Sequence, residues 1–187
     1  MPYLMNTSDR VDALVEVAIV LVESEGVEAL TLRKLASRLG LSPSTLTSHL
    51  TNKHRMIDLI AKRIGSAIVR SVEAESVRRG LDAAVPDDDL VPAVRAWLAL
   101  SELARADDDM DAGVARIRAD LRHLLGWIGR VPPGDEVTRD ALAALTAGIW
   151  EARCSRTEPM TARQARAVLR HVCAALGVRV EPEPDAA

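Results

Sequence analysis

Residues 31–57 read TLRKLASRLGLSPSTLTSHLTNKHRMI, and the fold follows from this stretch outward. Thr31 is a good N-cap, and Leu32, Leu35, Ala36 and Leu39 recur at helical spacing, so a helix is expected over Leu32–Leu39. Gly40 can take a left-handed conformation and turn the chain sharply. Leu41 is then expected to point back into the core. Ser42 is a second N-cap, and Pro43 stands at the first helical position, where its missing N–H costs nothing. The helix that follows, Pro43 to about Leu50, is anchored by Leu46 and Leu50. Asn52 can cap a further helix that opens with Lys53. This is the pattern of a helix-turn-helix, and its second helix presents Ser44, Thr45, Thr47, Ser48 and His49 outward. Side chains that are small and hydrogen-bonding can approach base edges and thymine methyls in a major groove.

Phosphate-binding groups flank that helix. Thr31 and Ser42 bring hydroxyls to helix N-termini, where backbone N–H groups also point outward. Arg33 and Lys53 add positive charge, and Lys53 sits at a helix start, where the dipole also favours an anion. The net charge of −3 hides a strong asymmetry. Residues 29–70 hold eight basic side chains against Asp58 alone, a local charge of +7, which leaves −10 for the rest. A basic head on an acidic body suits a polyanion partner for the head only.

The rest of the chain reads as helix. With three Trp, one Tyr and no Phe, the core must be built from Leu, Val, Ile and Ala. Helices are expected over about Asp9–Glu25, Lys53–Arg79, Val91–Ala106, Met110–Ile128, Asp135–Cys154 and Thr161–Leu176. Asp82–Asp89, Asp107–Asp109, Gly129–Gly134 and Thr157–Met160 read as breaks. The expected fold class is all-α: a three-helix helix-turn-helix domain over 9–52, a helical domain over 53–180 reached through helix four, and a disordered tail over 181–187. No apolar run is long enough to span a bilayer, and the N-terminus lacks the apolar stretch of a secretory signal, so a cytoplasmic protein is expected. Cys154 and Cys173 are expected to be buried, inert thiols.

The stretch Leu30–Ala36, then Gly40-Leu41-Ser42, Thr45-Leu46, His49-Leu50 and Asn52-Lys53, resembles the DNA-binding domain of the TetR family of bacterial repressors. The wording LTxRKLAxxLG and HxxNK is similar to the tetracycline-repressor branch. The likeness covers roughly residues 10–65. It implies that Pro43–Leu50 is the recognition helix and that Thr31, Ser42 and Lys53 touch phosphates. Members usually place aromatics where this chain has Thr47 and Ser48, and Phe or Val where it has Leu50. The Tyr–phosphate contact of the family is therefore absent, and Thr47 has a shorter reach.

The resemblance also implies an unknown small-molecule effector in the second domain. Trp97, Ser101, Met110, His123, Trp127 and Trp150 are the candidate pocket residues. The last two helices read as a homodimer interface, with Leu142, Leu145, Ile149, Ala165, Val168, Leu169 and Val172 as candidates among small residues that permit close helix contact. Two-fold DNA readers need such a dimer.

Signatures for other chemistry are missing. There is no GxSxG, HExxH, Walker loop or GxGxxG. The histidines stand apart from metal-ligand partners, so neither enzyme activity, a metal nor a cofactor is expected. The expected function is a ligand-responsive regulator, a repressor by default, on a palindromic double-stranded operator, with no membrane partner. The alternative is an architectural or protein-interaction helical module without an effector.

Overall fold

The computed structural model describes residues 7–47, 53–105 and 108–182. Among these, eight α-helices and no strand are found: α1 Thr7–Glu25, α2 Leu32–Arg38, α3 Pro43–Thr47, α4 Lys53–Arg79, α5 Val91–Ala104, α6 Asp108–Ile128, α7 Glu136–Cys154 and α8 Ala162–Ala175. Two 3-10 turns, Val27–Ala29 and Gly80–Ala84, join α1 to α2 and follow α4. The fold class is all-α, as the sequence indicates.

Helix ends fall where the capping chemistry puts them. Thr31 accepts from the Lys34 N–H, Asp135 from Thr138 and Thr161 from Gln164, whose side chain returns a bond to complete a capping box. Two boundaries differ from expectation. The break expected at Asp107–Asp109 falls earlier: α5 ends at Ala104, and Asp108 already belongs to the first turn of α6, where a carboxylate complements the helix dipole. The segment expected as a loop over Asp82–Asp89 is irregular and exposed only in its second half, at Asp88 and Asp89. Its first half coils into the 3-10 turn, and Leu81, Asp82, Ala83, Ala84 and Val85 are all buried.

The chain forms two compact units: Met1–Ile64 with Ala96–Val114, and Gly65–Arg95 with Ala115–Ala187. The first is packed around Leu14, Ala18, Leu21, Leu35, Met56 and Ile60, each 3% exposed or less. The second is packed around Ile68, Val72, Leu125, Leu142, Ile149 and Leu169 in the same way.

Unit two is laced by arginines. Arg153, 5% exposed, donates to the Pro86 carbonyl at 3.0 and 3.1 Å, to the Met160 carbonyl at 2.7 Å and to Asp88 at 2.7 Å. Arg79 pairs with Asp87 at 2.7 Å, Arg166 also pairs with Asp87, and Arg170 pairs with the buried Asp82. Trp150 Nε1 donates to the Ala84 carbonyl at 2.7 Å. Side chains far apart in sequence thus hold the Gly80–Asp88 segment against α7 and α8, which is why Asp82 is buried while Asp88 stays exposed.

Candidate nucleic-acid interface

The turn between α2 and α3 is fixed by backbone bonds. Gly40 N–H donates to Ser37 at 3.2 Å and Leu41 N–H to Ala36 at 2.9 Å, with Gly40 at φ +65°. This is a Schellman closure, in which glycine carries the least backbone strain. Leu41 does not return to the core: its N–H closes the turn while its side chain stays 39% exposed. Inward anchoring falls to Leu35, Ala36 and Leu46, at 0%, 0% and 7% exposure.

The outer side of α3 is polar and open. Ser42, Pro43, Ser44 and Thr45 are exposed. Ser42 Oγ accepts from the Thr45 N–H at 3.1 Å and shares hydrogen bonds with Ser44 Oγ at 2.8 Å and Thr45 Oγ1 at 2.7 Å. One hydroxyl therefore caps the helix and orients two neighbours. Thr47 closes the described part of α3, and nothing is described of its side chain. Ser48, His49, Leu50 and Asn52 lie outside the described residues.

The surrounding charge is partly spoken for. Glu25, at the end of α1, binds Lys34 at 2.6 Å and Arg38 at 3.2 Å. The Lys34 contact, then Arg38, holds its carboxyl below the usual carboxylate range. Lys62 pairs with Asp58 at 2.8 Å. Arg33 and Lys53 are exposed and make no ion pair among the described residues, so they keep their charge for another partner. Thr31 is half-buried, its hydroxyl engaged as the α2 cap. Capping thus shares this hydroxyl with any phosphate it would touch.

The six pocket candidates are divided between the two units. Trp97 and Ser101, one turn apart on α5, and Met110 on α6 are buried in the first unit. Trp150 lies in the core of the second. His123 and Trp127 line an open cleft of about 930 Å³, also in the second unit. The Ser101 hydroxyl, and that of Thr146 on α7, are buried with no hydrogen-bond partner among the described residues. Nothing in the sequence singles out Thr146, because a threonine inside an apolar stripe gives no signal that its hydroxyl is left unpaired.

Helices α7 and α8 pack on each other. Of the interface candidates, Leu142, Ile149, Ala165 and Leu169 are buried within the chain, Leu145 and Val172 are half-buried, and Val168 is exposed. Ala144, Ala147 and Gly148 on α7, and Leu176 at the end of α8, are also exposed.

Both cysteines are buried. Burial, reinforced by the charge of Asp82, pushes the Cys173 thiol up to about 11. At pH 8 only about one molecule in a thousand then carries the thiolate, against about one in four for a free cysteine. In a Cys154→Ser chain, Cys173 is expected to react with a disulfide reagent at least about 100-fold more slowly in the native than in the unfolded state. Rapid native labelling would contradict the buried-thiol assignment. Among the described residues, no group of His, Cys, Asp and Glu is arranged to hold a metal ion. No described helix is long and apolar enough to cross a membrane.

No family model matches the chain. It is 38% identical over 53 residues to the class E tetracycline repressor of Escherichia coli, a match covering 28% of this chain and 25% of that protein. The class D repressor of the same organism is 36% identical over the same length. The match therefore spans about a quarter of these curated relatives. Solved structures match nearly the whole chain. A transcriptional regulator from Rhodococcus sp. Rha1 has a TM-score of 0.75 at 16% identity, covering 92% of this chain and 99% of its own. The TetR-family transcriptional regulator PfmR from Thermus thermophilus has a TM-score of 0.56 at 25% identity, covering 84% and 97%.

Proposed function

We propose that this chain, which has the fold of the TetR-family transcriptional regulators, is a homodimeric DNA-binding regulator. In this reading it represses by default, in the cytoplasm, and responds to a small molecule. The observation that carries the reading is the exposed Ser42–Ser44–Thr45 hydroxyl network, set on a helix whose inner side is pinned by buried Leu46. A helix held in this way can enter a major groove without unfolding its support. Two of them, in successive grooves, would sit about 34–36 Å apart. Ligand binding would favour one of two dimer spacings, only one of which fits the operator.

The residues divide by role. Arg33 and Lys53, with the hydroxyls of Thr31 and Ser42, would position the protein on phosphates. Pro43, Ser44, Thr45, Thr47, Ser48 and His49 would face the bases. Lys53→Ala is expected to weaken binding to all sequences alike and to flatten the slope of log K against log salt by about one unit. Ser44→Ala and Thr45→Ala are expected to alter base preference at one or two operator positions. Measured by band shift on an operator series, unchanged preference in both variants would sink the recognition-helix assignment.

The dimer would form on the open surface of α7 and α8. Val168 and the half-buried Leu145 and Val172 would meet the partner beside Ala144 and Gly148, while Leu142, Ile149, Ala165 and Leu169 hold the helix pair together. No side-chain atom limits approach at Gly148, and a Cβ there would meet nothing within 4 Å. Val168→Glu places a charge at the centre of that surface and is expected to give monomers in sedimentation, with the helical content kept. An intact dimer would move the interface elsewhere.

A further inference from the structure

We propose that Glu25 sets the strength of DNA binding by competing with phosphates for Lys34 and Arg38. The proposal rests on the regulator reading above. Both cations stand on α2, four residues apart and so on one face of the helix. In a helix-turn-helix the first helix crosses the DNA backbone, and α2 holds that place here. Lys34 is also the residue whose N–H meets the Thr31 hydroxyl, so its side chain starts from the end of α2 that the regulator reading puts at a phosphate. Two cations so placed suit a polyanion, yet one carboxylate takes both. Glu25 Oε2 accepts from Lys34 Nζ at 2.6 Å and its Oε1 from Arg38 at 3.2 Å.

The place of Glu25 is the second observation. It is the last residue of α1, where the helix dipole disfavours an anion, and the last turn of α1 holds no basic residue to offset it. Helix formation therefore does not account for an acid at this position. Its partners come from another helix, nine and thirteen residues further on. The side chains of Lys34 and Arg38 are 48% and 53% exposed, and that of Glu25 is 36% exposed. Ion pairs this open to water are weak, so an arriving phosphate can compete for the same cations. The Lys34 contact, then Arg38, holds the Glu25 carboxyl below the usual carboxylate range, so the competitor stays charged at neutral pH.

Glu28 supplies the contrast. It is exposed in the 3-10 turn between α1 and α2 and makes no ion pair among the described residues. Removing its charge changes only the general field of the basic head. Removing that of Glu25 also releases two cations on the helix that crosses the backbone.

Binding of the whole chain to a random-sequence duplex, followed by fluorescence anisotropy over a salt series, tests the proposal. Glu25→Gln is expected to bind at least about fivefold more tightly at about 0.1 M salt. It should also steepen the slope of log K against log salt by about one unit or more, since each cation that reaches a phosphate adds about 0.9. Glu28→Gln should leave the slope unchanged. Adding Lys34→Gln and Arg38→Gln to Glu25→Gln should remove the gain. All four positions are exposed, and thermal melts followed by circular dichroism check that each chain folds. A purely structural Glu25 would move the melting temperature without steepening the slope. An unchanged slope in Glu25→Gln overturns the proposal alone while native binding persists. A gain that Glu28→Gln matches, or that survives the loss of Lys34 and Arg38, also overturns it. Failure of every chain, native and variant, to bind any duplex at low salt removes the regulator reading and this proposal with it.

Discussion

Arg153→Ala is expected to lower the stability of the folded chain by about 3 kcal/mol, whereas Asp88→Asn should cost less than about 0.5 kcal/mol. The two residues form an ion pair at 2.7 Å, yet their surroundings are opposite: the side chain of Arg153 is 5% exposed and that of Asp88 is 96% exposed. An exposed carboxylate is well solvated with or without its partner. The carbonyls of Pro86 and Met160 depend on the guanidinium, which reaches both at 2.7–3.1 Å. Alanine leaves these acceptors unpaired and opens a cavity between α7 and the segment after the 3-10 turn. Arg153→Lys should recover little, because an ammonium lacks the planar fork that spans two carbonyls. Urea unfolding followed by circular dichroism reads all three. Equal losses for Arg153→Ala and Asp88→Asn would mean that the ion pair, not the carbonyl contacts, holds the segment.

Gly80→Ala is expected to cost about 2–4 kcal/mol and to release the C-terminal strap formed by Val180, Glu181 and Pro182. Two effects add. Gly80 has φ +54°, and a Cβ would lie 2.0 Å from Val180 O, 2.7 Å from Glu181 C and 2.8 Å from Pro182 N. These are backbone atoms, so no rotamer change relieves the overlap. The strap must lift, giving up the Leu81–Val180 bond and the burial of Val178. Gly134→Ala is the control: its φ is +87°, but nothing lies within 4 Å of the added carbon, so only about 1 kcal/mol of backbone strain is expected. In a chain shortened to end at Val178, Gly80→Ala should cost no more than Gly134→Ala. A full Gly80→Ala penalty in that shortened chain would contradict the steric account.

Local chemistry was legible in the sequence, and long-range chemistry was not. Thr31, Gly40 and Ser42 act through bonds within five residues, so capping and turn rules place α2 and the start of α3 almost to the residue. Asp82 is the opposite case. An aspartate in a run with Pro86 and three further aspartates reads as part of a loop, and only the arrival of Arg170 and Arg79 from separate helices lets Asp82 be buried. No periodicity announces that meeting. The same limit applies to the tryptophans, whose indoles read alike in sequence although one binds the Ala84 carbonyl in the core and another stands open at a cleft. On α7 and α8, helical spacing identifies the apolar stripe but not whether its partner is the neighbouring helix or a second chain. The intrachain packing uses Leu142 and Leu169 and leaves Val168 outside.

Selection of binding sites from random duplex DNA, followed by salt titration of the winning sequence, tests whether α3 is a DNA-reading helix presented twice by a dimer. An inverted repeat is expected, with half-site centres about one helical turn, or a whole number of turns, apart, bound by two chains. The expected log–log salt slope is about −0.9 for each phosphate neutralised, reduced by about one unit in Lys53→Ala. Selection that enriches no sequence, with random duplex bound as tightly as any recovered site, would contradict it.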